Sequence, residues 1–283
     1  MLFFAFHSER SERTCFLPFL PLLFTKRRTI SINAMTNRLQ QLAYRLLGFL
    51  LLLALWQLAG KLHLGGKTLP AFTDVLHVFT VNFRRALLLR SAIATSTSAG
   101  LGLLLGATLG CLTAVTAQLL PALSPGLNRL AVVVNALPSI ALGPVLIITA
   151  GRQATPILLA AIPVFFLIYV AATSGLHSAD SRLTQLFTAT GATRFQRLRY
   201  LDTPSAIPAL LSGLKLGVTT AMIGAVVGEW FGAPTGLGIV ILNTMQNFQI
   251  PLMWAAVLVV AAISLTAYGL IGMLERSVER RRA

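Results

Sequence analysis

Six stretches of predominantly apolar residues, near positions 43–59, 91–117, 130–148, 155–176, 207–227 and 252–274, constrain this chain more than anything else in it. Each approaches the ~20 residues that a helix needs to cross the hydrocarbon core of a bilayer. In that core no water pairs with backbone N–H and C=O groups, so a lone apolar stretch must satisfy them internally, as an α-helix does. The composition agrees: of 283 residues, 55% are hydrophobic and 11% charged, whereas a soluble domain carries about 25% charged residues. The expected fold class is all-α, a polytopic membrane protein with six transmembrane helices.

A net charge of +15 would suggest nucleic acid for a soluble chain. Here the bias of Lys and Arg towards cytoplasmic loops explains it, and no nucleic-acid partner is expected. With the N-terminus inside, inner segments carry Arg38, Arg45, Arg129, Arg182, Arg194, Arg197, Arg199 and the Arg276–Arg282 tail. The outer ones carry fewer: Lys61, Lys67, Arg84, Arg85, Arg90 and Arg152. Both termini are therefore expected in the cytoplasm. Cys15 and Cys111 lie far apart and the four histidines are scattered, so neither a disulfide framework nor a metal site follows. Residues 1–34 read as a disordered extension or a misplaced start with the true one at Met35, leaving 35–283 as the membrane domain, with its core at 91–274.

Several local patterns carry structural or functional expectations. Phe72, Val75, Leu76, Phe79, Phe83 and Leu87 have helical spacing, which predicts a helix along the outer interface or packed on the bundle. Gly102, Gly106 and Gly110 recur every fourth residue, as do Gly213, Gly217, Ala221 and Ala225; small residues on one stripe let membrane helices approach closely. Asn135, Pro138, Ser139, Gly143 and Pro144 interrupt the third stretch. Prolines remove backbone donors, and freed carbonyls are tolerated in a membrane inside protein or along a water-filled path. This stretch is either an ordinary kinked helix or a pathway wall. Glu229, before a turn marked by Pro234, Gly236 and Gly238, either touches the mouth of a pathway or is held by backbone donors of the turn. Lys215 is expected to snorkel to the inner surface, and Asn243, Gln246 and Asn247 either meet a docking protein or are solvated.

The longest inner connection, 177–206, starts with Ser178-Ala179-Asp180-Ser181, residues suited to a helix start. Leu183, Leu186, Phe187 and Thr190 follow on one face. Gly191 ends that helix and a second, from Thr193 to Leu201, is expected to stop before Asp202-Thr203-Pro204. Two short helices rimmed by arginine make either a knob for a soluble partner or a solvated basic loop that sets topology.

This segment resembles the cytoplasmic loop of binding-protein-dependent ABC importer permeases, whose motif runs E-A-A, three residues, G, nine residues, I-x-L-P. Gly191 and Pro204 keep the glycine-to-proline spacing and Leu201 takes the isoleucine position, while Gln185-Leu186-Phe187 stand where E-A-A is expected and Thr203 replaces the leucine. Leu69-Pro70-Ala71-Phe72-Thr73-Asp74-Val75, Asn135-Ala136-Leu137-Pro138-Ser139-Ile140-Ala141 with Gly143-Pro144, and Gly228-Glu229-Trp230-Phe231-Gly232-Ala233 with Thr235-Gly236-Leu237-Gly238 are similar to segments of the nitrate/sulfonate/taurine branch. The resemblance covers roughly residues 39–279. It implies an inner-membrane permease subunit acting as a homodimer with two ATPase subunits, which carry the ATP and Mg, and an extracytoplasmic solute-binding protein. It assigns ATPase docking to Gln185, Leu186, Phe187, Ala189, Gly191, Ala192, Arg194, Phe195, Arg197 and Pro204. The pathway candidates are Asn135, Pro138, Ser139, Pro144, Met222 and Glu229, and close helix packing falls to Gly102, Gly106, Gly110, Gly213 and Gly217. The implied solute is small and anionic or heterocyclic: a sulfonate, taurine, nitrate or a thiamine-pyrimidine precursor.

The chemistry of the chain narrows the alternatives. No G-x-x-x-x-G-K-[ST] loop is present, so ATP is not bound here in the P-loop manner, and no cofactor or catalytic role is expected of this chain. Between Asp74 and Glu275 the only acids are Asp180, Asp202 and Glu229, few for a proton-coupled carrier. A secondary transporter or channel acting without an ATPase is the competing class, and a membrane scaffold without transport a third.

Overall fold

The computed structural model describes residues 26–280, all of whose regular structure is helical. In chain order the helices are α1 (Lys26–Lys61), α2 (Phe72–Val78), α3 (Asn82–Leu119), α4 (Ser124–Ala136), α5 (Ser139–Thr149) and α6 (Thr155–Leu176). Then follow α7 (Ser181–Ala189), α8 (Arg194–Arg197), α9 (Thr203–Glu229), α10 (Leu237–Gln246) and α11 (Ile250–Arg280). The boundary expected at residue 34 falls inside α1, and the rest of the expected extension lies outside the described residues. The Ala43–Lys61 part of α1, α3, α6, the helical run Arg194–Glu229 and α11 are long and apolar enough to cross a membrane. A sixth candidate is the pair α4 and α5, bent by 93°.

Residues from Gln57 onward form one compact unit, and α6 is its axis, packed along both α3 and α9. Glycine makes that packing possible. A Cβ on Gly102 would sit 2.5 Å from Ala160 Cβ, one on Gly106 2.5 Å from the Ala161 carbonyl oxygen, and one on Gly110 2.7 Å from that of Phe165. On α9, a Cβ at Gly213 would meet Ala171 Cβ at 2.5 Å, but one at Gly217 would meet nothing nearer than the tip of Leu103, at 3.3 Å. The nearer approach on that helix belongs to Gly224 and Gly228, whose Cβ positions lie 2.5 Å from the Leu159 oxygen and from Pro156 Cα. Helices without a hydrophobic drive between them gain dispersion and backbone contact by such proximity. Ala99, Ala160, Val164, Ile168, Ala221, Met222 and Ala225 fill the core among the three helices.

The contacts define two ends of this bundle. At one end Gly175 of α6 lies against Ala206 of α9, and Gln118 of α3 bonds Asp202 at 3.0 Å. At the other, Gly228 of α9 lies against Pro156 of α6, and the Leu237 N–H donates to Thr95 Oγ1 of α3 at 2.8 Å. Because α4 follows the first end of α3 and α5 leads into α6 at the second, α4 and α5 connect opposite ends and together make the sixth crossing. The single proline-interrupted helix expected at 130–148 is thus two helices, the first beginning six residues earlier, at Ser124. Leu137 is extended (φ −72°, ψ 124°), as a residue before proline is forced to be, and that breaks the ladder.

The helix expected across 72–87 is also two. Val75 and Val78 of α2 are fully buried and α2 packs against α11, whereas Phe83, 78% exposed, already belongs to α3. Lys215 has a partner on another helix. Its Nζ lies 2.5 Å from Glu275 Oε2 on α11, where Ser212 also donates to the carboxylate and the Tyr268 ring lies 5.3 Å from the ammonium. The pair joins α9 to α11 through opposite charges that are both partly exposed.

A Gly106→Leu substitution must push α6 off α3, costing about 1–3 kcal/mol by overpacking. Its melting temperature in detergent is expected to fall, whereas Gly100→Leu, whose Cβ meets nothing within 4 Å, leaves it unchanged. Equal effects of the two would contradict the close-packing role.

Candidate functional site

The connection between α6 and α9 is a knob built by local capping. Asp180 starts α7 by accepting from the Arg182 N–H at 2.8 Å. The helix ends in a Schellman motif: the Ala192 N–H donates to the Phe187 oxygen at 3.0 Å and the Gly191 N–H to that of Thr188 at 3.1 Å. Gly191 has φ +70° and open space around its Cβ position, so glycine is needed there for backbone conformation rather than for room. Thr193 and Gln196 form a reciprocal capping box at the start of α8.

No residue of α7 is buried. Leu183 and Leu186 are exposed, as are Phe195 and Tyr200. Leu186, Phe187, Thr190, Gly191, Ala192, Gln196 and Tyr200 line a groove of about 580 Å³ between the two short helices. Gln185, Ala189 and Pro204 also lie on the surface. Of the ten residues expected to dock a partner, eight thus stand on the outside of the knob or line its groove.

The two arginines among them, Arg194 exposed and Arg197 half-buried, also bond within the chain. Arg194 donates to the Leu119 carbonyl at 3.4 Å, and Arg197 Nε lies 3.3 Å from Asp202 Oδ1. Arg197 thereby fastens the knob to its own chain, because Asp202 is 1% exposed and a buried carboxylate needs a partner. The second helix does not stop before Asp202, as its sequence led us to expect. It passes through a widened π turn at Leu198–Asp202 and continues as α9. Pro204 cannot donate to the carbonyl one α-turn back, and its ring crowds that carbonyl; widening the turn relieves both.

The expected pathway residues divide. Asn135, Pro138 and Pro144 are exposed and Ser139 half-exposed along the α4–α5 elbow, which Gly143 holds against the Phe231 ring. Met222 is 4% exposed inside the α3–α6–α9 core and lines no wall, because the bulk it adds to α9 fills the space left by small residues opposite. Glu229 is 1% exposed. Its Oε2 accepts from the Gly238 N–H at 2.7 Å, and a Cβ on Gly236 (φ +145°) would fall 2.1 Å from its carboxyl carbon. Its second oxygen has no hydrogen-bond partner, although the Thr95 hydroxyl is close enough to bear on the carboxylate. Of the two roles open to Glu229, the geometry is that of an acid held by the turn.

Two cavities lie at opposite ends of the bundle. One of about 520 Å³, beside the knob, is lined among others by Gln118, Ser124, Asn128, Thr173, Ser174 and His177 and by no Lys or Arg. The other, of about 370 Å³, lies under the Pro234–Gly236 turn and includes Asn243 and Asn247. No cluster of His, Cys, Asp or Glu able to hold a metal occurs among the described residues. The sequence reading missed Gln118 and the contact of the Tyr169 hydroxyl with Asn128. A carboxamide at the end of an apolar stretch was the available signal for Gln118.

Residues 102–280 match the family described as the binding-protein-dependent transport system inner membrane component. The chain is 29% identical over 228 residues to the formylaminopyrimidine transport permease protein ThiX of Halalkalibacterium halodurans, covering 80% of this chain and 91% of that one. It is 26% identical over 233 residues to an aliphatic sulfonates transport permease protein, SsuC, of Bacillus subtilis, covering 82% and 84%. Its fold is that of a chain in the inward-facing MetNI methionine ABC transporter (TM-score 0.64, 18% identity), over 70% of this chain and 99% of that chain. With the helical bundle, the knob and this match over most of its length, the chain belongs to the binding-protein-dependent transport system inner membrane components, the permease subunits of ABC importers.

Proposed function

We propose that the knob at 178–204 docks an ATPase subunit, and that two copies of this chain work with two such subunits and an extracytoplasmic solute-binding protein in a bacterial inner membrane. The observation that carries this reading is the exposed apolar face of α7, which lies outside the candidate spans, around a groove that α7 and α8 line together. Exposed leucine and aromatic side chains beside arginines suit a protein partner rather than lipid or solvent. Gln185 replaces the acid of the family motif, so the contact relies on Leu186, Phe187 and Phe195 more than on an ion pair. The excess of Lys and Arg in the inner segments supports cytoplasmic termini. ATP and Mg act on the partner subunits, and this chain supplies the path by alternating access: ATP-driven closure of the ATPases moves the knob and tilts the helices.

For the solute, an uncharged heterocycle of the thiamine-pyrimidine type is favoured over a sulfonate, taurine or nitrate. The cavity beside the knob offers carboxamides, hydroxyls and an imidazole but no fixed cation, a lining that suits a ring bearing donors and acceptors. The likeness to a formylaminopyrimidine permease supports the same reading, and that to a sulfonate permease keeps the anion in the test.

The docking assignment predicts that Leu186→Asp and Phe195→Asp each lower co-purification of the ATPase about tenfold or more, ~1.4 kcal/mol of affinity, with membrane insertion intact. Wild-type recovery of the ATPase would contradict it. For the solute, thermal shift of the cognate binding protein is expected to respond to an aminopyrimidine and not to taurine or nitrate; the reverse response would overturn the heterocycle reading.

A further inference from the structure

Two feet attach the knob to the bundle. The first, after α6, is a close backbone contact, with Gly175 against Ala206 and the Ser178 hydroxyl near the Ser205 carbonyl at 3.3 Å. The second is chemical. Asp202 uses both carboxylate oxygens: Oδ1 accepts from Arg197 Nε at 3.3 Å and Oδ2 from Gln118 Nε2 at 3.0 Å. Leu198, in the same π turn, is buried in a cluster with Ala114 of α3, Ala131 of α4 and Tyr169 and Ala172 of α6, and Leu201 beside it is buried too. Arg194, one turn earlier, reaches the Leu119 carbonyl.

A buried charged cluster is a poor way to add stability, since desolvation offsets most of the attraction and apolar residues of equal volume do as well. What it adds is position, because each oxygen of Asp202 accepts from a different element. One partner sits on α8, within the knob. The other is on the last turn of α3, eighty-four residues away in sequence. The π turn makes this possible by inserting an extra residue into the helix and rotating Asp202 inward.

We infer that Asp202 is a positioning residue that clamps the docking knob to the end of α3, so that a displacement imposed on the knob reaches α3 and α9 as one body. This rests on the knob being the ATPase dock. Without the clamp, the ATPase would still bind the exposed crown, but α8 would pivot about the π turn and its motion would be lost before reaching α3. The cost is specific to coupling, not to docking or insertion.

The test uses the full assembly in lipid nanodiscs, spin-labelled at Thr188→Cys on the crown and Leu120→Cys beside α3, in a background without Cys15 and Cys111. In the wild-type clamp the distance is expected to be the same with and without ATP and vanadate. Asp202→Asn should widen the distance distribution about twofold while the ATPase co-purifies at the wild-type level. Gln118→Leu, which leaves the acid in place and covers the case in which Asp202→Asn does not insert, should widen it likewise, and the double variant should add nothing, as for members of one network. An unchanged width in both variants, or a knob–α3 distance in the wild type that shifts with ATP, would overturn the clamp. Failure of the ATPase to co-purify with the wild-type knob would instead overturn the docking reading, and the two failures are separable because width and co-purification are read independently.

Discussion

Backbone-close contact of α6 with α3 and α9 is the constraint on which the rest of this structure depends. Lipid tails are as apolar as the side chains, so association in the membrane depends on how near two backbones come. Gly102, Gly106 and Gly110 on α3, with Gly213, Gly224 and Gly228 on α9, let α6 carbonyls and Cα atoms sit where a Cβ would otherwise be. That contact sets the register of three long helices at once. It thereby determines which residues meet at either end, where the polar chemistry is concentrated.

Both ends are closed by a buried acid. At the turn end, Glu229 accepts from the Gly238 N–H, while Thr95 accepts from the neighbouring Leu237 N–H, so that the first turn of α10 is tied to α9 and α3 together. At the knob end, Asp202 joins α8, α9 and α3. A third polar contact, Lys215 with Glu275, ties α11 to α9. In so apolar a chain these few groups decide the relative placement of helices whose apolar surfaces alone would tolerate sliding, since a polar group moved out of register loses its partner in a setting without water.

Much of this was legible in the sequence, because membrane crossing demands long apolar runs and close packing demands small residues at fixed intervals. The glycine stripe of α3 and the Gly191 turn could be read directly, the latter because a helix ending at φ > 0 favours glycine. What could not be read depended on partners remote in sequence. Gln118 and Asp202 meet only after α3 and α9 are packed on α6. The partner of Lys215 lies sixty residues away, and periodicity does not distinguish the core position of Met222 from a pathway wall. The break at Leu137-Pro138 is visible in the sequence, but the 93° bend and the contact of Gly143 with Phe231, eighty-eight residues on, are not. Gly224 and Gly228 lie on a stripe adjacent to the four-residue interval of Gly213 and Gly217, and only the packing of α9 on α6 distinguishes the two.

A secondary carrier places its coupling ion among ionisable groups within the membrane. Here the acids of α9 and α11 are engaged, Glu229 by a turn and Glu275 by Lys215, and α7 of the knob exposes Leu183 and Leu186 outside the candidate spans. Energy would then enter from a soluble partner at that knob. The most direct test is solute uptake into proteoliposomes, comparing the purified chain alone under a proton or sodium gradient with the chain joined by its ATPase and lumenal binding protein. Uptake that requires ATP, the ATPase and the binding protein, with none by the chain alone, is the predicted result. Gradient-driven uptake by the chain alone would contradict it.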